Sequence, residues 1–112
     1  MDERIEKWLY DILMAIEEIE SFLADRPKRY VDFCNDVRTI RAVERNVEII
    51  GEAMNRILKS DENIPITNAR KIVDTRNYFI HGYDLLKMDI LWSIVVNHLP
   101  LLRDEVKKLL AE

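Results

Sequence analysis

The segment from Arg76 to Tyr83 holds the residue types in this chain that are best suited to chemistry. His81 carries an imidazole, the side chain that exchanges a proton near neutral pH. Arg76 falls on the apolar stripe of its predicted helix, where a charge needs a reason. Asn77 precedes His81 by four residues, a spacing at which its amide can orient the imidazole. The pattern indicates proton transfer beside a charge-stabilising cation, and it also occurs at purely structural helix ends.

Arg76 and His81 are five positions apart in the sequence. In an ideal helix this spacing points the two side chains about 140° from each other. They converge if His81 lies in a frayed last turn before Gly82, or if a second chain supplies the complementary group. The carbonyl end of a helix also stabilises a protonated histidine by roughly 0.3–1 kcal/mol. We therefore expect a homodimer, because the divergence of the pair and the apolar stripe of this helix both favour a second copy.

Other candidate groups are less specific. Glu44, Glu48 and Glu52 recur every four residues, which is typical of a solvated helix face, with a metal-binding ladder as the alternative. His98 has no second ligand at metal-ligand spacing, so we expect a partly buried structural histidine. The Glu-x-x-His pairs of di-metal bundles do not occur in the sequence. We therefore expect neither a metal nor another cofactor.

Two long amphipathic patterns occupy the first half of the chain. Apolar residues at three- and four-residue spacing predict a first helix from Ile5 to Leu23, capped by Asp2. Pro27 ends that pattern, and a second one predicts a single long helix from Phe33 to Leu58. The polar stretch that follows predicts the main loop.

The second half predicts three shorter helices. Thr67 is a plausible N-cap for the third helix, and Gly82 is suited to end it. Asp89 is placed to cap a fourth helix, and Pro100 belongs in the first turn of a fifth. The simplest architecture is all-α, an antiparallel four-helix bundle whose last helix is broken at Leu99–Pro100.

Composition limits the class of protein. At 112 residues, with 48% hydrophobic and 34% charged residues, we expect residues 1–112 to form one domain. Cys34 is the only cysteine, so no disulfide can form within the chain. The longest uncharged stretch, Ile90–Leu102, is shorter than the roughly 20 apolar residues that span a bilayer. We expect a cytoplasmic protein that does not bind a membrane.

The net charge of −4 has the wrong sign for general binding to phosphate backbones. Any contact with nucleic acid must therefore be local. Arg38, Arg41 and Arg45 share one face of the second predicted helix and could attract phosphates there. The alternative is that they form ordinary ion pairs with Glu44 and Glu48, and the spacing does not separate the two readings.

Three motifs in order resemble one known family. The string R-N-Y-F-I-H-G-Y at Arg76–Tyr83 resembles the R-x4-6-H signature of HEPN-domain proteins, in the R-x4-H-x-Y form of the HepT-like toxin family. Ala42–Ala53 resembles the second-helix motif of that family. Asp89–Trp92 and Leu99–Leu102 resemble its C-terminal helices, so the resemblance covers nearly the whole chain and implies a HEPN-like bundle. Asp84 departs from it, because an apolar or aromatic residue is expected there.

The resemblance implies a metal-independent endoribonuclease, the toxin of a type II toxin–antitoxin module. It implies a homodimer in which two R-x4-H segments face each other. His81 would act as general base or acid in attack of the ribose 2′-hydroxyl on the adjacent phosphate, and Arg76 would stabilise the developing charge. The products would be a 2′,3′-cyclic phosphate and a 5′-hydroxyl, so RNA is the expected substrate and DNA is not.

The resemblance also implies a partner. Tyr83 matches the tyrosine to which an MntA-like nucleotidyltransferase antitoxin adds AMP, and the added phosphate would repel RNA. The main alternative function is a non-catalytic helical module that docks a nucleotidyltransferase or holds a nucleotide. A third reading is a plain dimerisation protein. Activity on RNA separates the first reading from the second.

Overall fold

A computed structural model describes the backbone of residues 1–81 and 84–112 and the side chains of residues 1–75 and 88–112. This part of the chain is helical and contains no strand, as the all-α prediction requires. A turn of π-helix, Ile94–His98, separates the last two α-helices. The α-helices are α1 (Glu3–Leu23), α2 (Tyr30–Cys34), α3 (Val37–Ser60), α4 (Ala69–His81), α5 (Asp84–Ser93) and α6 (Leu99–Ala111).

The core is built on the two long helices, α1 and α3. The Asp2 carboxylate caps α1 by accepting a hydrogen bond of 2.7 Å from the Arg4 amide, which confirms the predicted cap. The apolar stripe of α1 packs against α3 and α6, and α3 packs in turn against α4. Complete burial of one such leucine or isoleucine contributes roughly 1.5–3 kcal/mol. The side chains that are least accessible are Leu9, Ile12, Ile16, Ile19, Val43, Ile50, Met54, Ile57, Leu91 and Val106.

The predicted single helix from Phe33 to Leu58 is wrong at its start, because the structure divides it into α2 and α3. Asp36 stands at the break and caps α3. Its carboxylate accepts from the Thr39 amide at 3.1 Å and from the Thr39 hydroxyl at 2.6 Å. Arg26 donates to the same carboxylate at 2.5 Å. These partners hold the pKa of Asp36 at about 2, with the Thr39 hydroxyl contributing most and Arg26 next.

Thr67 does not cap the third predicted helix. Its amide and hydroxyl instead donate to the Glu105 carboxylate of α6, the hydroxyl at 2.8 Å. Asn68 follows with a left-handed φ of 58°, and α4 begins one residue later at Ala69. The end of this helix was predicted at Gly82, which lies outside the described residues. Glu105 therefore connects the start of α4 to the last helix.

The last helix is interrupted earlier than predicted. The π turn at Ile94–His98 makes the break, and Leu99–Pro100 already opens α6, so the predicted place is wrong by one turn. Pro100 does lie in the first turn of a helix, as expected. Asp89 is not a cap, since it lies inside α5. The bundle with a broken last helix is confirmed, and no helix among the described residues is long and apolar enough to cross a membrane.

Candidate active site

The predicted catalytic residues lie on the second half of α4. The backbone of Arg76, Asn77 and His81 is helical, and His81 is the last residue of the helix. Their side chains lie outside the described residues, and so does Tyr83 as a whole. The roles of these four residues therefore stay predictions. The carbonyl end of α4 is the helix end that stabilises a protonated imidazole.

The first half of α4 is held firmly against the bundle. Ala69 and Val73 are both 8% exposed and face the core. Thr67, two residues before the helix, is tied to Glu105 of α6 by its amide and its hydroxyl. Thr75, immediately before Arg76, donates from its hydroxyl to the Ile72 carbonyl at 2.6 Å. The helix that carries the predicted catalytic pair is thus fixed to α3 and α6 at its start.

Helix α5 follows the predicted active segment in the sequence, and contacts with α2 hold it in place. The Tyr30 hydroxyl donates to the Asp89 carboxylate. Trp92 packs against the rings of Tyr30 and Phe33, at centroid distances of 6.1 and 5.1 Å. The bond to Asp89 is the main cause that raises the pKa of Tyr30, and the neighbouring Cys34 thiol adds to it. The local sequence gives no sign of this contact, because α2 has only five residues and Asp89 lies 59 positions from Tyr30.

The arginine row predicted on the second helix lies on α3, with all three side chains exposed. Arg45 approaches Glu48 at 3.9 Å, but the Arg45 side chain is 71% exposed, so water and salt weaken the pair. Arg38 and Arg41 form no ion pair with another described residue. The ion-pair reading accounts for one arginine of the three, and binding of RNA by this row stays a prediction.

Two further candidates from the sequence concern metals. Within residues 1–75 and 88–112, no group of three or more His, Cys, Asp or Glu side chains is placed to hold a metal ion. Glu44 and Glu48 are half-buried and Glu52 is exposed. His98 was expected to be partly buried, and this is wrong: it is exposed at the end of the π turn.

A pocket opens between α3, α4 and the broken last helix, and we call it the lateral cleft. Its volume is about 390 Å³. Apolar side chains from all three sides line most of it, and its polar residues include Asn68, Lys71 and His98. The described residues that line it are Val47, Ile50, Asn68, Lys71, Ile72, Thr75, Asp89, Ile90, Ser93, Ile94, His98, Leu99 and Leu102. No sequence signal marked the cleft, because the π turn has no pattern of its own.

Comparison with known proteins identifies the relatives of this fold. The model of the ribonuclease HepT-like family matches residues 12–109. A Methanocaldococcus jannaschii protein named "Putative RNase" is 34% identical over 105 residues, which cover 92% of this chain and 94% of that protein. A protein of Thermococcus cleftensis named "Probable ribonuclease HepT" is 36% identical over 103 residues, with 91% and 92% covered. No solved structure matches the chain.

The family model matches nearly the whole chain, as the positions of the three motifs predict. It begins within α1 and ends within α6, so it includes α4 and the segment Arg76–Tyr83. The relatives are covered over most of their own length, so the likeness concerns whole proteins. The chain therefore belongs to the ribonuclease HepT-like family.

Proposed function

We propose that this protein is a metal-independent endoribonuclease and the toxin of a type II toxin–antitoxin module. The observation that carries the proposal is the family match over residues 12–109, within which Arg76 and His81 stand at R-x4-H spacing on α4. The names of the relatives as ribonucleases support the same class of reaction. RNA is the proposed substrate.

In the proposed reaction, His81 removes the proton from a ribose 2′-hydroxyl, and the oxygen attacks the neighbouring phosphorus. The bond from phosphorus to the 5′-oxygen breaks, and that oxygen takes up a proton from water, which leaves a 2′,3′-cyclic phosphate and a 5′-hydroxyl. Arg76 stabilises the charge on the phosphoryl oxygens, and Asn77 orients the imidazole. DNA lacks the attacking hydroxyl, so it is not cut.

The proposed active form is a homodimer, in which the α4 ends of two copies face each other across a groove. Arg76 and His81 diverge by about 140° within one ideal helix, and a second copy supplies the complementary group. The exposed row of Arg38, Arg41 and Arg45 supports local attraction of phosphates in a chain of net charge −4. In this proposal the row guides RNA towards the groove.

The proposed regulator is an MntA-like nucleotidyltransferase that transfers AMP to the Tyr83 hydroxyl. Tyr83 stands two positions after His81, so a phosphate attached there places negative charge beside the catalytic pair. The charge repels the RNA backbone and blocks the groove. Modification at this residue is therefore sufficient to neutralise the toxin.

The direct test of this reaction class uses single-stranded RNA and DNA of the same sequence, with a chelator present. We expect the wild-type protein to cut the RNA alone and to leave cyclic phosphate ends, which mass spectrometry of the fragments identifies. Cleavage that needs a divalent metal, or that leaves 3′-hydroxyl ends, contradicts the mechanism. An intact RNA in every condition favours the alternative of a non-catalytic module that docks a nucleotidyltransferase or holds a nucleotide.

A further inference from the structure

The lateral cleft has the size and lining of a site for one small planar group. Its volume of about 390 Å³ lies within the range of roughly 300–1,000 Å³ that is usual for small-ligand sites. Val47 and Ile50 of α3 contribute to its lining from one side. Ile72 of α4 and Ile94 of the π turn contribute from two other sides. Aliphatic side chains of this kind can pack against the faces of a flat heteroaromatic ring.

The polar groups of the cleft favour an anion. Lys71 and His98 come from α4 and from the π turn, and both are exposed. Neither forms an ion pair with another residue of the described part of the chain. Asp89 is the acidic residue among the described lining, and its carboxylate already accepts from the Tyr30 hydroxyl. Lys71 is therefore the cation of the described lining that is left to meet an anionic group of a ligand, while the Asp89 carboxylate is engaged by Tyr30.

An amide and a distorted helix add to this arrangement. Asn68 lines the cleft and has no side-chain hydrogen bond to another described residue, so its amide can both donate to and accept from the edge of a base. The π turn Ile94–His98 contributes two lining residues. Single π turns inside α-helices are found frequently at functional sites. The π turn is therefore a second observation, besides the polar lining residues, that favours a ligand site on the side of the cleft that carries His98.

The cleft also reaches the predicted catalytic helix. Thr75 lines it, and Thr75 is the residue before Arg76 on α4. One residue of helix advances the chain by about 1.5 Å. A group bound against Thr75 is thus close to the backbone of Arg76, the next residue of α4. The cleft therefore borders the helix that carries the proposed catalytic pair.

We propose that the lateral cleft binds one nucleotide of the RNA substrate, next to the bond that is cut. The base lies between Ile72 and Ile94, its edge meets the Asn68 amide, and its phosphate contacts Lys71 and His98. This inference depends on the proposed ribonuclease activity for its biological meaning. The binding itself does not depend on cleavage, so it can be measured separately.

The test is titration of the full-length protein with 5′-AMP, ribose 5-phosphate and inorganic phosphate, by calorimetry and by NMR of the isoleucine methyl groups. We expect saturable binding of 5′-AMP that shifts the Ile72 and Ile94 methyl signals. Ribose 5-phosphate and phosphate should bind at least about tenfold more weakly, because the apolar walls contact only the base. Equal binding of ribose 5-phosphate would contradict recognition of a base.

Variants locate the binding. Lys71→Ala should weaken 5′-AMP binding by about tenfold and Lys71→Glu by more, because one charge-assisted contact is lost and then reversed. Both substitutions are at an exposed position, so the fold is retained. Lys107→Ala, an exposed lysine of α6 outside the described lining, is the matched control and should bind like the wild type. Unchanged binding by both Lys71 variants would overturn the proposal.

The two proposals fail in different ways. A wild-type protein that binds 5′-AMP in the cleft and leaves RNA intact refutes the ribonuclease and retains the nucleotide site. A protein that cuts RNA and shows no saturable binding of 5′-AMP refutes the cleft proposal and retains the ribonuclease. Binding that shifts signals remote from Ile72 and Ile94 also refutes the cleft proposal.

Discussion

The Tyr30 hydroxyl donates a hydrogen bond to the Asp89 carboxylate and so joins α2 to the middle of α5. Helix α5 begins at Asp84, directly after Tyr83, so this bond constrains the chain as it leaves the predicted active segment. The edge-to-face contact between the rings of Tyr30 and Trp92 also holds α2 against α5. A helix of five residues thereby takes part in positioning the predicted site.

Replacing Tyr30 by phenylalanine should remove this bond and keep the ring contact. The pKa of Tyr30 is raised in the folded protein, so the bond contributes stability in full below the ordinary tyrosine pKa of about 10, and the contribution is lost as the pH rises through the higher folded value. We expect Tyr30→Phe to lower the melting temperature by a few degrees at neutral pH. Spectroscopic titration should also show that a tyrosine that ionises above the ordinary pKa of about 10 is missing in the variant.

Tyr10→Phe is the matched control, since Tyr10 is exposed on α1 and has no hydrogen bond to another described residue. It should melt like the wild type. If Tyr30→Phe and Tyr10→Phe behave alike in both measurements, the bond to Asp89 does not hold α5.

Acid should destabilise the protein through Asp36. Its pKa is lowered from 3.8 to about 2, so its bonds stabilise the fold above about pH 4, and this contribution is lost as the pH falls from 4 to 2. Asp36→Asn should melt earlier than the wild type at pH 7, because its neutral amide keeps a weaker helix cap and loses the ion pair with Arg26. The difference between the two proteins should shrink progressively between pH 4 and pH 2 in thermal melts.

Asp74→Asn provides the comparison for this measurement, because Asp74 is exposed and has no ion pair with another described residue. It should follow the wild type across the same range of pH. A gap between the wild type and Asp36→Asn that stays constant down to pH 2 would show that the carboxylate charge is not what stabilises the break between α2 and α3.

The helices could be predicted because their information is local. The stripes of α1 and α3 follow from three- and four-residue spacing, and Asp2 caps the first of them as expected. The break at Asp36 was missed because the apolar spacing runs across it without a change of phase, and Arg26 reaches it from another part of the chain. Periodicity reports which face is buried, and it does not report where a helix stops and restarts.

The site could be predicted only as far as it is encoded in short motifs. Arg76 and His81 are recognisable from their spacing, and the structure assigns both to α4. The lateral cleft brings together three separated parts of the chain, and its walls depend on packing and on the π turn. Thr67 was predicted as a cap from its residue type, whereas Glu105 from α6 is its actual partner. Such contacts between distant residues have no signature in the local sequence.

The protein should be a dimer in solution. Arg76 and His81 diverge within one ideal helix, so a site that uses both needs a second copy. Sedimentation equilibrium or light scattering at micromolar concentration should give about twice the chain mass of 13.3 kDa. A mass of one chain at all concentrations up to the micromolar range would contradict the composite site.

Modification of Tyr83 should switch the protein off. Incubated with its nucleotidyltransferase and ATP, the protein should gain one or more AMP groups, and fragment mass spectrometry should locate them at Tyr83. Tyr83→Phe should stay unmodified and active on RNA, since the ring is kept and the acceptor hydroxyl is lost. An adduct at another residue, or full activity after complete modification, would contradict this mode of control.

The most direct measurement of the central claim is RNA cleavage by His81→Ala and Arg76→Ala, with a chelator present and thermal melts of each protein beside the assay. The account predicts a loss of roughly 10²–10⁴ in rate for each variant, with melting temperature and dimer mass unchanged. Arg70→Ala, an exposed arginine on the same helix, should cut RNA like the wild type. Cleavage at the wild-type rate by His81→Ala, or loss of activity that always accompanies unfolding, would contradict catalysis by this pair.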